Sequence, residues 1–269
     1  MNFAIIGGTH GNELVGIEVM RGLERKVPIG SIHQYKTFLG NPKAYELKRR
    51  YVDSDLNRSF GKNGKALGYE VDRSKDLQTQ IVGKFDFLLD LHTTTSDMGL
   101  TVILNCDDEL SLKAACYLQK KMPEIKIIKS AVLNDQCPYT NAMVTSGLTV
   151  EVGAVANNVI KAHLVASVYE MVCLLLRWDF CDELEFSEVK YYQTLDNLHF
   201  PDEGHWMIHP NVDDHAFKAI KPGDSLFVNI EGEQLKYTGE QVVYPFFINE
   251  AAYQESNIAM SLSSLEKGL

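Results

Sequence analysis

The sequence predicts an α/β protein whose mixed, mostly parallel sheet, flanked by helices, is followed by a smaller β-rich region. Up to about residue 178, short apolar runs alternate with segments of helical length, which is typical of a parallel sheet with helical crossovers. After about Cys181, strand-like runs follow one another directly, with turn signals such as KPGD and EGE between them. We therefore predict an α/β domain over residues 1–181 and a β-rich domain over residues 182–269.

The individual elements follow from the same alternation of apolar and polar segments. In the first region, strands are predicted in FAIIGG, HQYKTFL, FDFLLDL, TVILN, IKIIKS and LTVEVG. Helices are predicted over residues 12–25, 69–84, 108–121 and 157–178. In the second region, strands are predicted in EVKYYQTL, HWMIHP, DSLFVNI and QVVYPFFI. The junction RWDFCDELEF has no linker rich in proline or glycine, so we expect the two regions to pack closely together.

Composition limits the class of protein. A hydrophobic content of 45% in 269 residues is enough for a large core, and the formal charge of -10 argues against nucleic acid as a partner. The five cysteines form no CxxC pattern, so neither a disulfide framework nor a cysteine zinc site is predicted. The most apolar stretch, VASVYEMVCLLLRW, is too short to span a bilayer, and Met1 leads directly into a strand without a charged leader. We expect a cytoplasmic protein that acts without a membrane partner.

A candidate metal site is indicated by His10 and Glu13 in GGTHGNE together with His92 in DLHTTT. Residues three apart in a helical turn lie on one side, so one ion can contact both, and each motif follows a strand-like run. A set of two histidines and one glutamate suits a catalytic zinc ion, which leaves a fourth position for water. The alternative is that HxxE occurs by chance and that His92 is an ordinary hydrogen-bonded histidine.

Glu151 lies in the strand-like run LTVEVG, where an unpaired carboxylate is costly to bury. Beside a metal centre, such a group can act as the general base that takes a proton from water. A structural carboxylate paired with an arginine is the alternative. Asp90, two residues before His92 on a strand, should point to the same side, where it can orient that histidine or anchor a loop.

The segment RRYVDSDLNRSF places several charged and polar groups in one short loop: Arg50, Asp53, Asp55, Asn57 and Arg58. One arginine could stabilise an oxyanion that develops on an attacked carbonyl, and another could bind a substrate carboxylate with help from an asparagine amide. An ordinary solvated loop is the alternative. Tyr253 follows the strand-like VVYPFFI, and composition does not distinguish a functional tyrosine there from a core or surface one.

Together these segments resemble the aspartoacylase branch of the aspartoacylase/succinylglutamate desuccinylase family. The matching segments occur in family order from residue 5 to about 253: GGTHGNELVG, NPKAY, RRYVDSDLNRSF, DLHTTTSDMG, EVG, IHP, KPGD and VYPFFINEAAY. The combination of GGTHGNE, DLNR and INEAAY is specific, whereas no single motif would be. The resemblance implies a zinc-carboxypeptidase-like fold with a C-terminal β domain that caps the site, and it is compatible with a homodimer.

The resemblance also implies a role for each candidate residue. One zinc ion per subunit would be bound by His10, Glu13 and His92, with Glu151 as general base and Arg50 polarising the scissile carbonyl. Asn57 and Arg58 would bind the α-carboxylate of the substrate, Asp55 would support their loop, and Tyr253 would reach in from the cap. The implied reaction is hydrolysis of N-acyl-L-amino acids, with N-acetyl-L-aspartate giving acetate and L-aspartate as the leading case.

One departure from the family pattern concerns the side chain of the substrate. Aspartoacylases that select aspartate carry an arginine about ten residues before the EVG glutamate, whereas Asn141 stands near that position here. A buried carboxylate without a cationic partner binds poorly. A deacylase for aromatic or varied N-acyl amino acids is therefore the nearest alternative, followed by a succinylglutamate desuccinylase or a peptidase. A zinc-binding protein without catalytic activity would need a fourth protein ligand, and none stands out.

Overall fold

A nine-stranded mixed sheet forms the centre of the molecule. The computed structural model describes every residue from Met1 to Leu269. The strands are β1 (Asn2–Gly7), β2 (Gln34–Leu39), β3 (Phe87–Thr93), β4 (Gly99–Leu104), β5 (Lys126–Lys129), β6 (Gly147–Gly153), β7 (Lys190–His199), β8 (Met207–Ile208), β9 (Ser225–Val228), β10 (Gln234–Lys236), β11 (Tyr244–Phe246) and β12 (Ile258–Lys267). The helices are α1 (Leu14–Arg25), α2 (Pro42–Glu46), α3 (Tyr69–Ile81), α4 (Glu109–Lys121) and α5 (Ala162–Arg177).

The strand order in the main sheet is β11-β12-β7-β5-β4-β6-β3-β1-β2. The segment β6-β3-β1-β2 is parallel throughout, whereas β4 runs antiparallel to β6 and the strands β7, β12 and β11 are antiparallel to one another. A separate three-stranded antiparallel sheet, β10-β9-β8, belongs to the C-terminal region. The predicted fold class, a mostly parallel sheet with a smaller β-rich part, is confirmed.

The helices cover both faces of this sheet. On one face, α1, α4 and α5 pack with alternate strand residues into a core of 33 buried residues. On the other face, α3 covers a smaller core that includes Ile6 and Leu88. Because side chains alternate along a strand, the residues Asp90 and His92 share the face of Leu88. The candidate site therefore lies on the α3 side of the sheet, beyond the end of this smaller core.

All strands and helices predicted for the first region are present, with shifted ends. The last of these helices begins at Ala162 rather than at residue 157, because residues 154–161 form a turn beside the site. In the C-terminal region the sequence reasoning missed β10 and β12, the second of which runs for ten residues. No helix has the length and apolar character needed to cross a membrane.

The C-terminal strands also extend the main sheet, which the sequence reasoning did not foresee. Strand β7 pairs in parallel with β5 through Ile128 and Tyr192, and β12 and β11 continue the sheet beyond it. The division of the chain at residue 181 stays a prediction, since β7 hydrogen-bonds directly to the preceding region.

Candidate active site

The turn between β1 and α1 presents His10 and Glu13. Glu13 is the residue that precedes the first turn of α1, and its backbone N–H donates to the carbonyl of His10 at 3.1 Å. Gly11 lies between them, where a Cβ atom would come within 2.2 Å of the backbone of Ala44. The Gly11 N–H donates to the carbonyl of Arg50 at 3.1 Å. A residue without a side chain is therefore needed for this turn to pack against the backbone of α2.

His10, Glu13 and His92 bring their ligand atoms together. These atoms all lie within 4.8 Å of one another, and the three residues are buried. His10 Nδ1 lies 2.6 Å from Glu13 Oε1, and His92 Nδ1 lies 2.9 Å from Glu13 Oε2. The two Nδ1 atoms are 3.2 Å apart. Tetrahedral zinc with bonds of about 2.0–2.1 Å places two nitrogen ligands about 3.3 Å apart, which is close to the observed separation.

The second ring nitrogen of each histidine is held by a carboxylate. His92 Nε2 lies 2.7 Å from Asp90 Oδ2, and His10 Nε2 lies 3.0 Å from Asp55 Oδ1. A carboxylate favours the tautomer in which Nε2–H donates a hydrogen bond to it. The lone pair of Nδ1 is then directed to the centre of the cluster, which is the arrangement of metal-ligating histidines. The contact between Asp90 and His92 agrees with the strand alternation used above. The donor set therefore fits a divalent metal, and the chemistry of its atoms suits zinc among others.

The electrostatics of the cluster favour a cation. Burial lowers the pKa of His92, but Asp90 and Glu13 outweigh that effect and raise it well above its usual value. Burial raises the pKa of Glu13, yet the two imidazoles lower it overall. Three carboxylates therefore surround two imidazoles, and the negative charge that Arg50 leaves unmatched can be met by protons on the rings or by a metal ion.

Glu151 lies beside this cluster, since it pairs with His92 in the register of β3 and β6. Its Oε2 atom is shielded from solvent and has no hydrogen-bond partner, and no arginine forms an ion pair with it. Burial raises the pKa of Glu151 to about 8; the carboxylates of Glu13 and Glu250 add to this, and His92 and Arg50 oppose it. A carboxyl group with such a pKa can both accept and release a proton near neutrality.

The loop after α2 brings Arg50 and Asp55 against the cluster. Arg50 donates from Nη1 to Glu13 Oε1 and from Nη2 to Asp55 Oδ2, each at 3.1 Å. Asp55 also accepts from the backbone N–H of Asn57 at 2.7 Å, which begins a short 3-10 helix over Leu56–Arg58. Nearby positive charges hold the pKa of Asp55 well below its usual value despite its burial. The loop is thus an ordered wall of the site rather than a solvated run of charges.

Asn57, Arg58 and Tyr253 line the same cleft. Asn57 accepts from the backbone N–H of Thr140 at 3.1 Å, and the Arg58 guanidinium lies over the ring of Tyr139 at 4.9 Å from its centre. Arg58 forms no ion pair with a carboxylate, so its charge is available to a ligand. Burial raises the pKa of the Tyr253 hydroxyl, which therefore stays protonated. The cleft has a volume of about 1170 Å³ and is lined by the predicted site residues except the buried His92 and Asp90.

Two buried glutamates that the sequence reasoning missed hold the walls of this cleft. Glu250 precedes the 3-10 helix Ala251–Ser256, which carries Tyr253, and accepts hydrogen bonds from the loop after β3. Glu70 lies in the first turn of α3 and accepts from the backbone of the loop that carries Arg50. No local pattern marks either glutamate as buried, and only the three-dimensional contacts distinguish it from a solvated residue.

Asn141, which stands near the position of the family's arginine, does not line the cleft. It is fully buried, and its Oδ1 atom accepts from the hydroxyl of Thr149 at 2.6 Å. Thr149 itself lines the cleft two residues before Glu151 on the same face of β6. The part of the cleft around Thr149 therefore contains a neutral amide network and no guanidinium group.

Comparisons with known proteins place this fold and sequence in one family. Residues 1–177 match the succinylglutamate desuccinylase/aspartoacylase catalytic domain, and residues 187–265 match the AstE/AspA barrel-sandwich hybrid domain. The chain is 35% identical to a probable aspartoacylase of Trichodesmium erythraeum over 98% of this chain and 96% of that protein. It is 31% identical to an N-acyl-aromatic-L-amino acid amidohydrolase (carboxylate-forming) of Danio rerio over 97% of this chain and 91% of the other. The crystal structure of murine aminoacylase 3 superposes with a TM-score of 0.87 and 29% identity, covering 99% of this chain and 95% of that one.

Proposed function

The chain belongs to the succinylglutamate desuccinylase/aspartoacylase family, and from that premise we propose that it hydrolyses the amide bond of small N-acyl-L-amino acids with zinc as its metal. The unpartnered Oε2 atom of Glu151, beside the cluster of His10, Glu13 and His92, carries this proposal. A buried carboxylate without a donor is costly for a fold. Such a carboxylate can act as a base toward a water molecule that lies next to it.

The proposed mechanism divides the chemistry among the residues of the cleft. Zinc bound by His10, Glu13 and His92 would supply a Lewis acid and a water molecule with a pKa near neutrality. Glu151 accepts the proton of the attacking water and delivers it to the departing nitrogen, so that it ends in its starting state. Arg50 stabilises the negative charge that develops on the carbonyl oxygen. The products are a carboxylate and a free amino acid.

The substrate is held by its α-carboxylate in this proposal. Arg58 is the binding group, because its charge is not used by a protein carboxylate and its guanidinium lies over the ring of Tyr139. Asn57 adds an amide, Asp55 holds their short helix, and Tyr253 offers a protonated hydroxyl from the short helix Ala251–Ser256. Bidentate recognition of a carboxylate by arginine is specific in geometry as well as in charge.

N-acetyl-L-aspartate is the leading substrate, supported by the relatives named aspartoacylase. A second candidate, a neutral or aromatic N-acyl amino acid, is favoured by a specific observation. Away from Arg58, the cleft wall contains Ile103, Ile128, Phe246 and Phe247, three of which pack together in one apolar cluster with Met98. Asn141 provides no positive charge at the side of Thr149. An apolar side chain would be accommodated by this wall, whereas a second carboxylate would need a cation from elsewhere.

The experiment is a comparison of kcat/KM for N-acetyl-L-aspartate and N-acetyl-L-phenylalanine with the zinc-loaded protein. A preference for the first supports aspartoacylase activity, and a preference for the second supports the broader deacylase. In either case, R58A should raise KM for both substrates by about 10-fold or more, because both carry the same α-carboxylate. Hydrolysis of unblocked dipeptides with neither N-acyl compound turned over would overturn the proposal in favour of a peptidase.

A further inference from the structure

Glu70 is a fully buried carboxylate outside the set of residues assigned to the reaction. It is 0% exposed, lies in the first turn of α3 and forms no ion pair with lysine or arginine. Burying an ionised carboxylate is costly unless hydrogen bonds replace its water. Its environment must therefore supply several donors, and the identity of these donors indicates its purpose.

The donors come from the loop between Arg50 and Asp55, which lines the cleft, and from Asn41 at the start of α2. Glu70 Oε2 accepts from the backbone N–H groups of Asp53 at 3.0 Å and Ser54 at 3.1 Å. Glu70 Oε1 accepts from the N–H of Val52 at 2.8 Å and from the side-chain amide of Asn41 at 2.9 Å. Three successive amides of the loop between Arg50 and Asp55 thus point at one carboxylate. The start of α3 adds a favourable dipole for this negative charge.

A side chain of the same loop also binds the start of α3. Asp53 accepts from the backbone N–H of Tyr69 at 2.7 Å. Gly68, the residue before Tyr69, has φ +56°, and a Cβ atom there would lie 2.2 Å from the Asp53 carboxylate. The loop and the start of α3 are therefore in close reciprocal contact, with a backbone conformation that favours glycine.

Asn41 extends this contact to the metal-ligand turn. Its backbone N–H donates to the carbonyl of Gly8 at 2.8 Å, two residues before His10. Glu70 consequently joins the turn of His10 to the loop of Arg50 and Asp55. These are the two segments that meet where Asp55 approaches His10 at 3.0 Å and Arg50 approaches Glu13 at 3.1 Å.

We propose that Glu70 is a positioning residue, whose buried carboxylate fixes the backbone of residues 52–54 and thereby places Asp55 against His10 and Arg50 against Glu13. This inference rests on the proposed function, since it assigns to that site the support on which its geometry depends. Misplacing a catalytic group by about 1 Å can cost about 100-fold in rate, and losing the partner of a ligand histidine typically weakens metal binding by about 10- to 100-fold.

The test compares wild type with E70Q, D55N, the double variant D55N/E70Q and the matched control D72N. In E70Q, either orientation of the new amide turns an NH₂ group toward two N–H donors, so two hydrogen bonds are lost without a change in volume. Asp72 lies in the same helical turn but is exposed and contacts none of these amides, so D72N changes only the charge. The readouts are zinc affinity by chelator competition, amide exchange of the peptide covering residues 50–58, and kcat and KM at saturating zinc.

We expect E70Q to bind zinc about 10-fold more weakly, to exchange the amides of residues 52–54 faster, and to lower kcat about 10- to 100-fold with a smaller change in KM. D72N should match wild type. If Glu70 acts through Asp55, the double variant binds zinc no more weakly than D55N, because the shared contact is already lost. Additive losses of zinc affinity would overturn the proposal, as would an E70Q protein that matches wild type in zinc affinity and amide exchange.

Should E70Q fail to fold, E70D keeps the charge with a shorter reach and should show the same losses in part. Failure of both variants to fold would assign Glu70 to the fold and overturn a positioning role. Should no N-acyl amino acid be hydrolysed by wild type, the proposed function fails. The zinc-affinity cycle and the amide exchange still decide the role of Glu70, because neither depends on turnover.

Discussion

Glu151 differs from the other carboxylates of the site in that one of its oxygens is shielded from solvent and has no donor. Glu13 accepts a hydrogen bond from the Arg50 guanidinium, and Asp55 and Asp90 accept from imidazole groups, whereas Glu151 Oε2 has no such donor. We expect E151Q to lower kcat by about 100- to 10,000-fold, the usual contribution of a positioned general base. Zinc content should stay at one ion per chain, because Glu151 is not in the ligand cluster. Full turnover by E151Q would remove the base from the mechanism.

The raised pKa of Glu151 also predicts how the metal-free protein responds to pH. Its folded pKa of about 8 lies above the ordinary value of 4.5, because burial disfavours the ionised form. Folding is therefore unaffected by this group below about pH 4.5. As the pH rises from there toward 8, the group increasingly opposes folding, by up to about 1.4 kcal/mol for each pH unit. Denaturant titrations of metal-free wild type and E151Q should show the variant gaining relative stability between these values. A difference that stays constant with pH would contradict the assignment.

The cysteines give a prediction that does not depend on the reaction. Four of them are buried, and Cys181 is exposed. Burial raises the pKa of Cys106 and Cys137 to about 12, so their thiolate forms are scarce near neutrality. An aromatic disulfide reagent should modify one thiol per folded chain and five after unfolding, and C181S should remove the fast reaction. Modification of a second thiol in the folded protein would show that one of the buried cysteines is accessible.

The candidate metal ligands, which the structure brings together in one cluster, could be located from the sequence because each belongs to a short motif next to a strand. Glu70 and Glu250 could not, since their roles arise from contacts with segments 16 to 18 and 154 to 156 residues away in the chain. Asn141 shows the same limit. Its place in the sequence suggests the cleft, but the 3-10 helix Thr140–Met143 turns its amide into the interior toward Thr149.

At the scale of elements, the alternation of β3 and β6 explains how a hydrophobic strand can carry a polar site. Along β3, Leu89 and Leu91 enter the large core on one face, while Asp90 and His92 lie on the other. Periodicity identifies such strands but not their partners. The antiparallel direction of β4 and the addition of β7 to the edge of β5 depend on tertiary pairing, which no local pattern specifies. Strand β12 was missed although Met260, Leu262 and the serines between and after them alternate as in a strand.

The short helix Ala251–Ser256 is one of the elements through which the C-terminal region lines the cleft, and it carries Tyr253. Glu250 accepts from the Thr94 hydroxyl and from the backbone N–H groups of Thr95 at 2.8 Å and Ser96 at 3.3 Å. Hydrogen bonds to a charged group typically contribute about 1.5–3 kcal/mol each. We therefore expect E250Q to lower kcat/KM about 10-fold or more and to expose residues 250–256 to proteolysis.

Glu255 supplies the control for that experiment. It lies in the same short helix but is exposed, and its carboxylate accepts only from the hydroxyl of Tyr51 at 2.8 Å. E255Q should change kcat/KM less than three-fold, in line with the small contribution of exposed polar contacts. Equal losses in E250Q and E255Q would mean that the hydrogen bonds from the loop after β3 to the Glu250 carboxylate are not what holds this segment.

At the scale of the whole molecule, the core and the metal-ligand cluster are largely independent. The main core of 33 buried residues lies on the face of the sheet opposite His92, and the smaller core around α3 contains no candidate ligand. Hydrophobic burial of this extent should maintain the fold without a metal ion. The chain thus differs from small zinc domains, whose folding depends on the metal.

Removal of the metal should therefore abolish activity and leave the fold intact. After treatment with a chelator, we expect unchanged far-ultraviolet circular dichroism, loss of turnover, and a lower Tm, since a ligand that binds only the folded state at 100 times its Kd adds about 2.7 kcal/mol. Adding zinc should restore both turnover and Tm in wild type. H92A should show neither response, because it removes one of three converging donors and leaves Glu13 and Asp90 without their shared imidazole. An equal zinc-dependent rise in Tm for H92A would place the ion elsewhere, and unfolding on chelation would show that the ion, rather than the core, maintains the fold.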